Sequence, residues 1–255
     1  DFNYHPGDTD FQATGLTPAA YDWNKIAGTY VVRFTATNAA GSSAATRTIT
    51  VQPGTAHHLK ITDPGGANSA NILAGSEFEL TIKAYDVYDN LCNSGTYVYQ
   101  GVKNLDFSGP LASPDGNEPT VEAVNITGSG TVAVNFTAGV SAANAATLIA
   151  YKAQTNTPAL DVSDGTIDST GDAAWDLDLT VNPANANKLK FVDPQPAAGA
   201  SATVDTALAT QPKVEIRDQY GNLRSADTTS ITLLPVKAAN HSLAGDGTLL
   251  NGVMN

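Results

Sequence analysis

Positive charge is scarce in this chain. Its 255 residues hold 13 Lys plus Arg against 25 Asp plus Glu, a formal net charge of -12. Such a surface repels phosphate backbones and anionic lipid, so nucleic acid is not an expected partner. Charged residues of both signs make up only 15% of the chain, below the roughly 25% usual for soluble domains. Ala, Thr, Gly, Asn and Ser leave the surface polar but weakly ionic. Cysteine occurs once, at Cys92, which excludes an internal disulfide framework and a Cys-rich zinc site. It reads as a small, half-buried side chain beside a turn. No window approaches about 18 consecutive apolar residues, so no membrane insertion is expected in this segment. No charged-then-apolar leader opens the chain, so the targeting segment of an exported protein would lie outside it.

Motifs that carry chemistry are also missing. There is no G-x-S-x-G elbow, no H-E-x-x-H, no P-loop and no G-x-G-x-x-G after a strand, and only four histidines. The expectation is a protein that is not an enzyme. His57 and His58 are adjacent on a strand boundary, where successive side chains point to opposite faces; they read as exposed linker residues rather than a shared metal site.

What the chain does have is alternation. Phe78, Leu80, Ile82 and Ala84 fall on one face of a strand, with Glu77, Glu79, Thr81 and Lys83 on the other. The same period appears at Tyr30, Val32, Phe34 and Ala36; at Val132, Val134 and Phe136; at Trp175, Leu177, Leu179 and Val181; and at Val214 and Ile216. No segment sustains helical spacing over three turns, and glycine-rich turns punctuate the chain. This predicts an all-β fold, antiparallel, most economically a set of β-sandwiches.

The chain also repeats itself. TVQPGTAHHLKITDP (Thr50 to Pro64) returns as TVNPANANKLKFVDP (Thr180 to Pro194), and DVYDNL (Asp86 to Leu91) returns as DQYGNL (Asp218 to Leu223). In both copies a strand closes, Pro53 or Pro183 removes a ladder donor, and a new strand opens with apolar residues flanking Lys60 or Lys190. A period of roughly 130 residues indicates tandem β-domains. The expected organisation is 1–53 as the C-terminal part of one sandwich, 54–182 as a complete one with a long insert near 92–119, and 183–255 as the N-terminal part of another. Two explanations of the half-units stay open: a chain that is a piece of a longer array, or halves on neighbouring subunits that complete each other head to tail.

The pattern A-x-x-L-K-[IF]-x-D-P, then D-x-Y-[DG]-N-L, then GDGTLLNG (Gly245 to Gly252) resembles the bacterial immunoglobulin-like repeats of invasin-type and related surface proteins. AGTYVVRFTATNAAGSSAATRTITV is similar to the closing strands of polycystic-kidney-disease-type and other immunoglobulin-like domains of prokaryotic surface proteins. The resemblance implies tandem immunoglobulin-like sandwiches in an exported, cell-surface or extracellular protein, with no catalytic residues to carry over.

Carboxylates supply the one cofactor expectation. Asp161, Asp164, Asp168 and Asp172 crowd one stretch together with Asp176 and Asp178, and hard oxygen ligands in loops suit calcium. Against this, Asp164-Gly165 is a hairpin signal, and Asp176 and Asp178 alternate as the wet face of a strand. Asp86, Asp89 and Asn90 form a smaller set, better explained as a turn because the last unit places Gly221 where Asp89 stands. Asn125, Asn135 and Asn240 head sequons and are candidate glycan acceptors. Tyr85, Tyr88, Tyr97 and Tyr99 could form a carbohydrate-stacking platform or pack across strands. The function expected is structural: a surface layer, stalk or filament whose partners are copies of itself or other surface-layer subunits. The alternative is an adhesin or carbohydrate-binding module that holds glycans through the 92–119 insert. A third is the noncatalytic part of a secreted hydrolase.

Overall fold

The computed structural model describes residues 25–38, 41–128, 130–155, 158–193, 203, 206, 209–231 and 253–254, and the statements below concern these. All regular structure is β. The first pair, β1 (Gly28–Asn38) and β2 (Gly41–Val51), forms a long antiparallel hairpin from Gly28↔Val51 to Asn38↔Gly41. Tyr30, expected to face a core, is half-buried, while Val31 on the opposite face is 67% exposed.

After Pro53 come β3 (Ala56–Thr62), β4 (Ser69–Leu73), β5 (Glu77–Glu79), β6 (Thr81–Asp86), β7 (Gly101–Ser108), β8 (Thr120–Val121) and β9 (Val124–Asn125). Next are β10 (Thr131–Thr137), β11 (Val140–Ser141), β12 (Thr147–Ile149), β13 (Gln154–Thr155), β14 (Asp161–Ser163) and β15 (Asp178–Asn182). Six of these pair antiparallel in the order β14-β7-β10-β11-β6-β3. The sheet curls until it is nearly closed. On the outer side of β3, the Leu59 and Ile61 amides donate to Asp168 O (3.0 Å) and Trp175 O (2.8 Å), in the segment that follows β14. Beside it lie a four-stranded sheet, β5-β12-β8-β9, and a three-stranded one, β13-β15-β4. In the latter, β4 runs parallel to β15. The chain entering after Pro53 thus pairs first with β6 and then, past Asp63-Pro64, with β15, the middle strand of a different sheet.

The alternation read from sequence sets which faces are buried. On β10, Val132, Val134 and Phe136 are buried while Thr131, Ala133, Asn135 and Thr137 are exposed. Leu59, Ile61, Leu80, Ile82, Leu105, Leu148, Leu160, Leu177 and Leu179 complete one continuous interior, each contributing about 1.5–3 kcal/mol by leaving water. The stretch expected to be an insert is partly core. Its residues 101–108 form β7, between β14 and β10, with Leu105 and Phe107 inside. Turn residues at both ends hid a strand that shows only two inward apolar positions. Loop structure is left to 93–100 and 109–119.

Past Pro183, β16 (Ala186–Val192), β17 (Lys213–Asp218) and β18 (Val253–Met254) form an antiparallel sheet in that order. Val214 and Ile216 make a small separate cluster with half-buried Ile231. Leu189 and Phe191, which match the fully buried Leu59 and Ile61 in sequence, are 57% and 67% exposed. Lys60 and Lys190 lie on β3 and β16, each the last strand in its sheet order.

Candidate functional site: two matching junctions

The repeated motifs meet in space. Asp86 ends β6 with its side chain turned inward, and its carboxylate gathers the turn that follows. Oδ1 accepts from Tyr88 N (2.8 Å) and Asn90 N (3.0 Å), and Oδ2 accepts from Gly54 N (2.8 Å), just past Pro53. The turn closes through Asp89 N to Asp86 O and Asp86 N to Asn90 O, with Asp89 at φ 60. One Asn90 amide hydrogen is shared by both Asp86 oxygens at 3.1 and 3.0 Å, which fixes the carboxamide. Its remaining groups reach the tripeptide that leads into β1: Nδ2 donates to Lys25 O and Oδ1 accepts from Ala27 N, both at 2.7 Å.

The second junction repeats this pattern with one difference, that Asn222 Nδ2 reaches only one oxygen of its aspartate. Asp218, fully buried, accepts from Tyr220 N (2.9 Å), Asn222 N (2.8 Å) and Ala184 N (2.9 Å), the last just past Pro183. Asn222 Nδ2 donates to Asp218 Oδ2 (2.8 Å) and to Tyr151 O (2.7 Å), and its Oδ1 accepts from Ala153 N (2.8 Å). Gly221, at φ 85, takes the place of Asp89. The residues after Ala27 and Ala153 pair alike: Gly28 with Val51, Gln154 with Val181. Register shifts fall at the same place, between Ala56 and His58 and between Ala186 and Lys188. The carbonyl of the post-proline residue is held too: Cys92 Sγ lies 3.6 Å from Gly54 O, and Arg224 Nη1 donates to Ala184 O. Each junction therefore fixes both polar groups of the residue after its proline and two polar groups of the segment upstream.

Electrostatics follow from this packing. Burial alone would raise the Asp86 carboxyl, but the bonds from Gly54, Asn90 and Tyr88 outweigh it and hold the group below the usual carboxylate range. Burial, with the Asp86 charge adding to it, pushes the Cys92 thiol up to about 11. Cys92 is wholly buried, deeper than the half-buried position expected. His58, expected to be exposed, is also buried: it lies between Trp175 (ring centroids 3.8 Å) and Tyr85 (5.5 Å), both nearly parallel to it. An open groove of about 420 Å³ runs along the first junction between Lys25, Gln52, His57 and Tyr88.

The second junction has contacts of its own. Tyr220 packs edge-on against Tyr151, ring centroids 4.9 Å apart, and fills the space where Gly75 lacks a side chain. Lys188 pairs with Asp115, whose backbone amide donates to Tyr220 O.

The carboxylates considered for calcium do not converge. Asp161 accepts from Ser169 Oγ; Asp164 from Thr166 N, Ile167 N and Tyr99 OH; Asp168 from Thr170; Asp172 from Ala174 N. Each closes a local turn or ties one down. Among the described residues, no group of three or more His, Cys, Asp or Glu is placed to hold a metal ion. Asn135 is exposed on β10, and Asn125 is exposed on β9 with Oδ1 accepting from Thr127 N and Oγ1. Asn240 and the GDGTLLNG stretch lie outside the described residues. The four tyrosines form no shared platform. Tyr85 stacks on His58, Tyr99 is buried against Phe136 with its hydroxyl on Asp164, and only Tyr88 and Tyr97 are exposed.

Sequence reasoning explained DVYDNL and DQYGNL as turns and missed the upstream reach of Asn90 and Asn222. The available signal was the asparagine itself. Asp, Ser or Gly would also serve a turn, yet both copies keep a carboxamide, the side chain that offers donor and acceptor to two peptide groups at once. No family model matches this chain, and no curated protein matches it in sequence.

Proposed function

We propose that this protein is a noncatalytic structural component of an extracellular or cell-surface assembly, built from tandem immunoglobulin-like β-sandwiches held in fixed orientation at proline-bearing junctions. The observation that carries the reading is the recurrence of the Asp–Asn junction, with matching donors and acceptors at both prolines. A linker that only connected two units would not need the residue after its proline and the segment upstream of it tied down twice by the same kinds of bond. Two features favour sandwiches: the split pairing of β3 with β6 and β4 with β15, and a buried interior that runs from Leu59 to Val181 and excludes Val214 and Ile216. Partners on this reading are copies of the chain or other surface-layer subunits.

Small-angle scattering of the wild type against an Asn90→Ala, Asn222→Ala double variant tests the joints, and electron microscopy tests the assembly. The wild type is expected to give a single elongated shape and ordered layers or filaments, with a broadened distance distribution in the variant. A wild type as broad as the variant, and dispersed under the microscope, would overturn the reading. Glycan-array binding lost on Tyr97→Ala would favour the adhesin instead.

A further inference from the structure

The two junctions differ where β3 and β16 enter them, at His58 in the first and Lys188 in the second. His58 is 3% exposed and held face to face between Trp175 and Tyr85. Its Nε2 lies 3.2 Å from Asp89 Oδ1, in the turn whose Asp86 and Asn90 grip Gly54, Lys25 and Ala27. Its Nδ1 is buried with no hydrogen-bond partner. The neutral ring, with its proton on Nε2 toward Asp89, leaves only a bare lone pair in that position. Lys188, by contrast, is an exposed cation already paired with Asp115.

We propose that His58 makes the first junction sensitive to mild acid, above the range where carboxylates protonate, a property that no matching residue gives the second junction. A second proton must go on Nδ1, creating a buried N–H with no acceptor, an arrangement that folded proteins rarely leave in place. The ring can satisfy it only by leaving the Trp175–Tyr85 stack, and leaving withdraws the partner of Asp89 from the turn.

The charged and titratable groups facing the ring are few. Asp89 and Asp86, from the turn, favour protonation; His57 and Lys60, on its own strand, oppose it; and Tyr85 stacks on it from β6. Burial outweighs these and lowers the ring's affinity for a proton. The unfolded chain then binds the proton more readily than the folded one. The His58 contribution is therefore complete above about pH 6.5 and lost as pH falls toward the lower folded value.

This inference rests on the junction reading, and hydrogen exchange on the full chain separates the two. At about pH 7.5, Asn90→Ala must speed exchange at the Ala27 amide; if it does not, the junction itself is misread. Between about pH 7.5 and about pH 5, after correction for intrinsic rates, wild-type protection at Gly54 and Ala27 is expected to fall by at least about threefold relative to Ala184 and Ala153. His58→Phe, which keeps the stack, is expected to abolish that difference. Equal responses at both junctions, or a difference that survives in His58→Phe, would overturn the proposal. So would a wild-type His58 ring resonance that titrates at or above about pH 6.5, a measurement that needs no variant.

Discussion

At the scale of single residues, the carboxylate of Asp86 has the most to lose. Three backbone amides and the Asn90 carboxamide converge on it, and no other described group takes its place. Asp86→Ala is expected to cost about 1–3 kcal/mol in denaturant unfolding, because it leaves part-buried donors unpaired as well as deleting bonds to a charged acceptor. The pH dependence has a defined sign. The folded carboxyl is held below its ordinary value, so its contribution is present above about pH 4 and is lost as pH falls through the lower folded value. The acid limb of the wild-type stability curve should accordingly flatten in Asp86→Ala. Cys92 gives a second check. Buried, and with its thiol pushed up to about 11, it should resist thiol reagents near pH 8 in the folded protein and react fully once guanidinium unfolds the chain.

At the scale of elements, strand and turn chemistry was largely legible in the sequence, and long-range partners were not. The inward faces of β10 and β15 follow directly from Val132, Val134 and Phe136 and from Leu179 and Val181, because a half-buried strand writes its burial as period two. β7 was obscured by flanking glycines and prolines. The curl of the six-stranded sheet depends on which strands meet, which periodicity does not encode. His58 looked like a linker residue because nothing local announces Trp175 as its neighbour. The junction itself was half legible: its position came from the repeated prolines, but the reach of Asn90 to Lys25 and of Asn222 to Tyr151 spans more than sixty positions. Gly75 belongs to the same class of hidden partner. At φ +79, with a built Cβ only 1.9 Å from the Tyr220 hydroxyl, Gly75→Ala is expected to destabilise the protein by roughly 1–3 kcal/mol. Adding Tyr220→Ala should relieve the steric share and leave the backbone share, so a double-mutant cycle in denaturant should show coupling between the two sites. No coupling would mean that Tyr220 does not occupy that space in solution.

At the scale of the whole molecule, charge and joints act on different problems. A net charge of -12 on a weakly ionic surface makes copies repel when salt is low, whereas the hydrogen bonds at the junctions are short-range and mostly part-buried, so screening weakens them far less. On the proposed self-assembly, sedimentation should therefore show association of copies rising as ionic strength goes from about 0.01 M to about 0.15 M, where the Debye length contracts from about 30 Å to about 8 Å. The scattering envelope of each monomer should stay unchanged over the same range. Association that weakens with salt would mean that opposite charges, rather than apolar or backbone contacts, join the subunits.

In the segments leading into the junctions, Asn90 and Asn222 bond to peptide groups and not to side chains, so Lys25 at one junction can stand where Tyr151 stands at the other. An unequal crossover that added or deleted a whole unit would leave every surviving asparagine with its full set of partners. On the tandem organisation proposed above, length is thus a heritable variable, adjustable in whole units without redesign of what joins them.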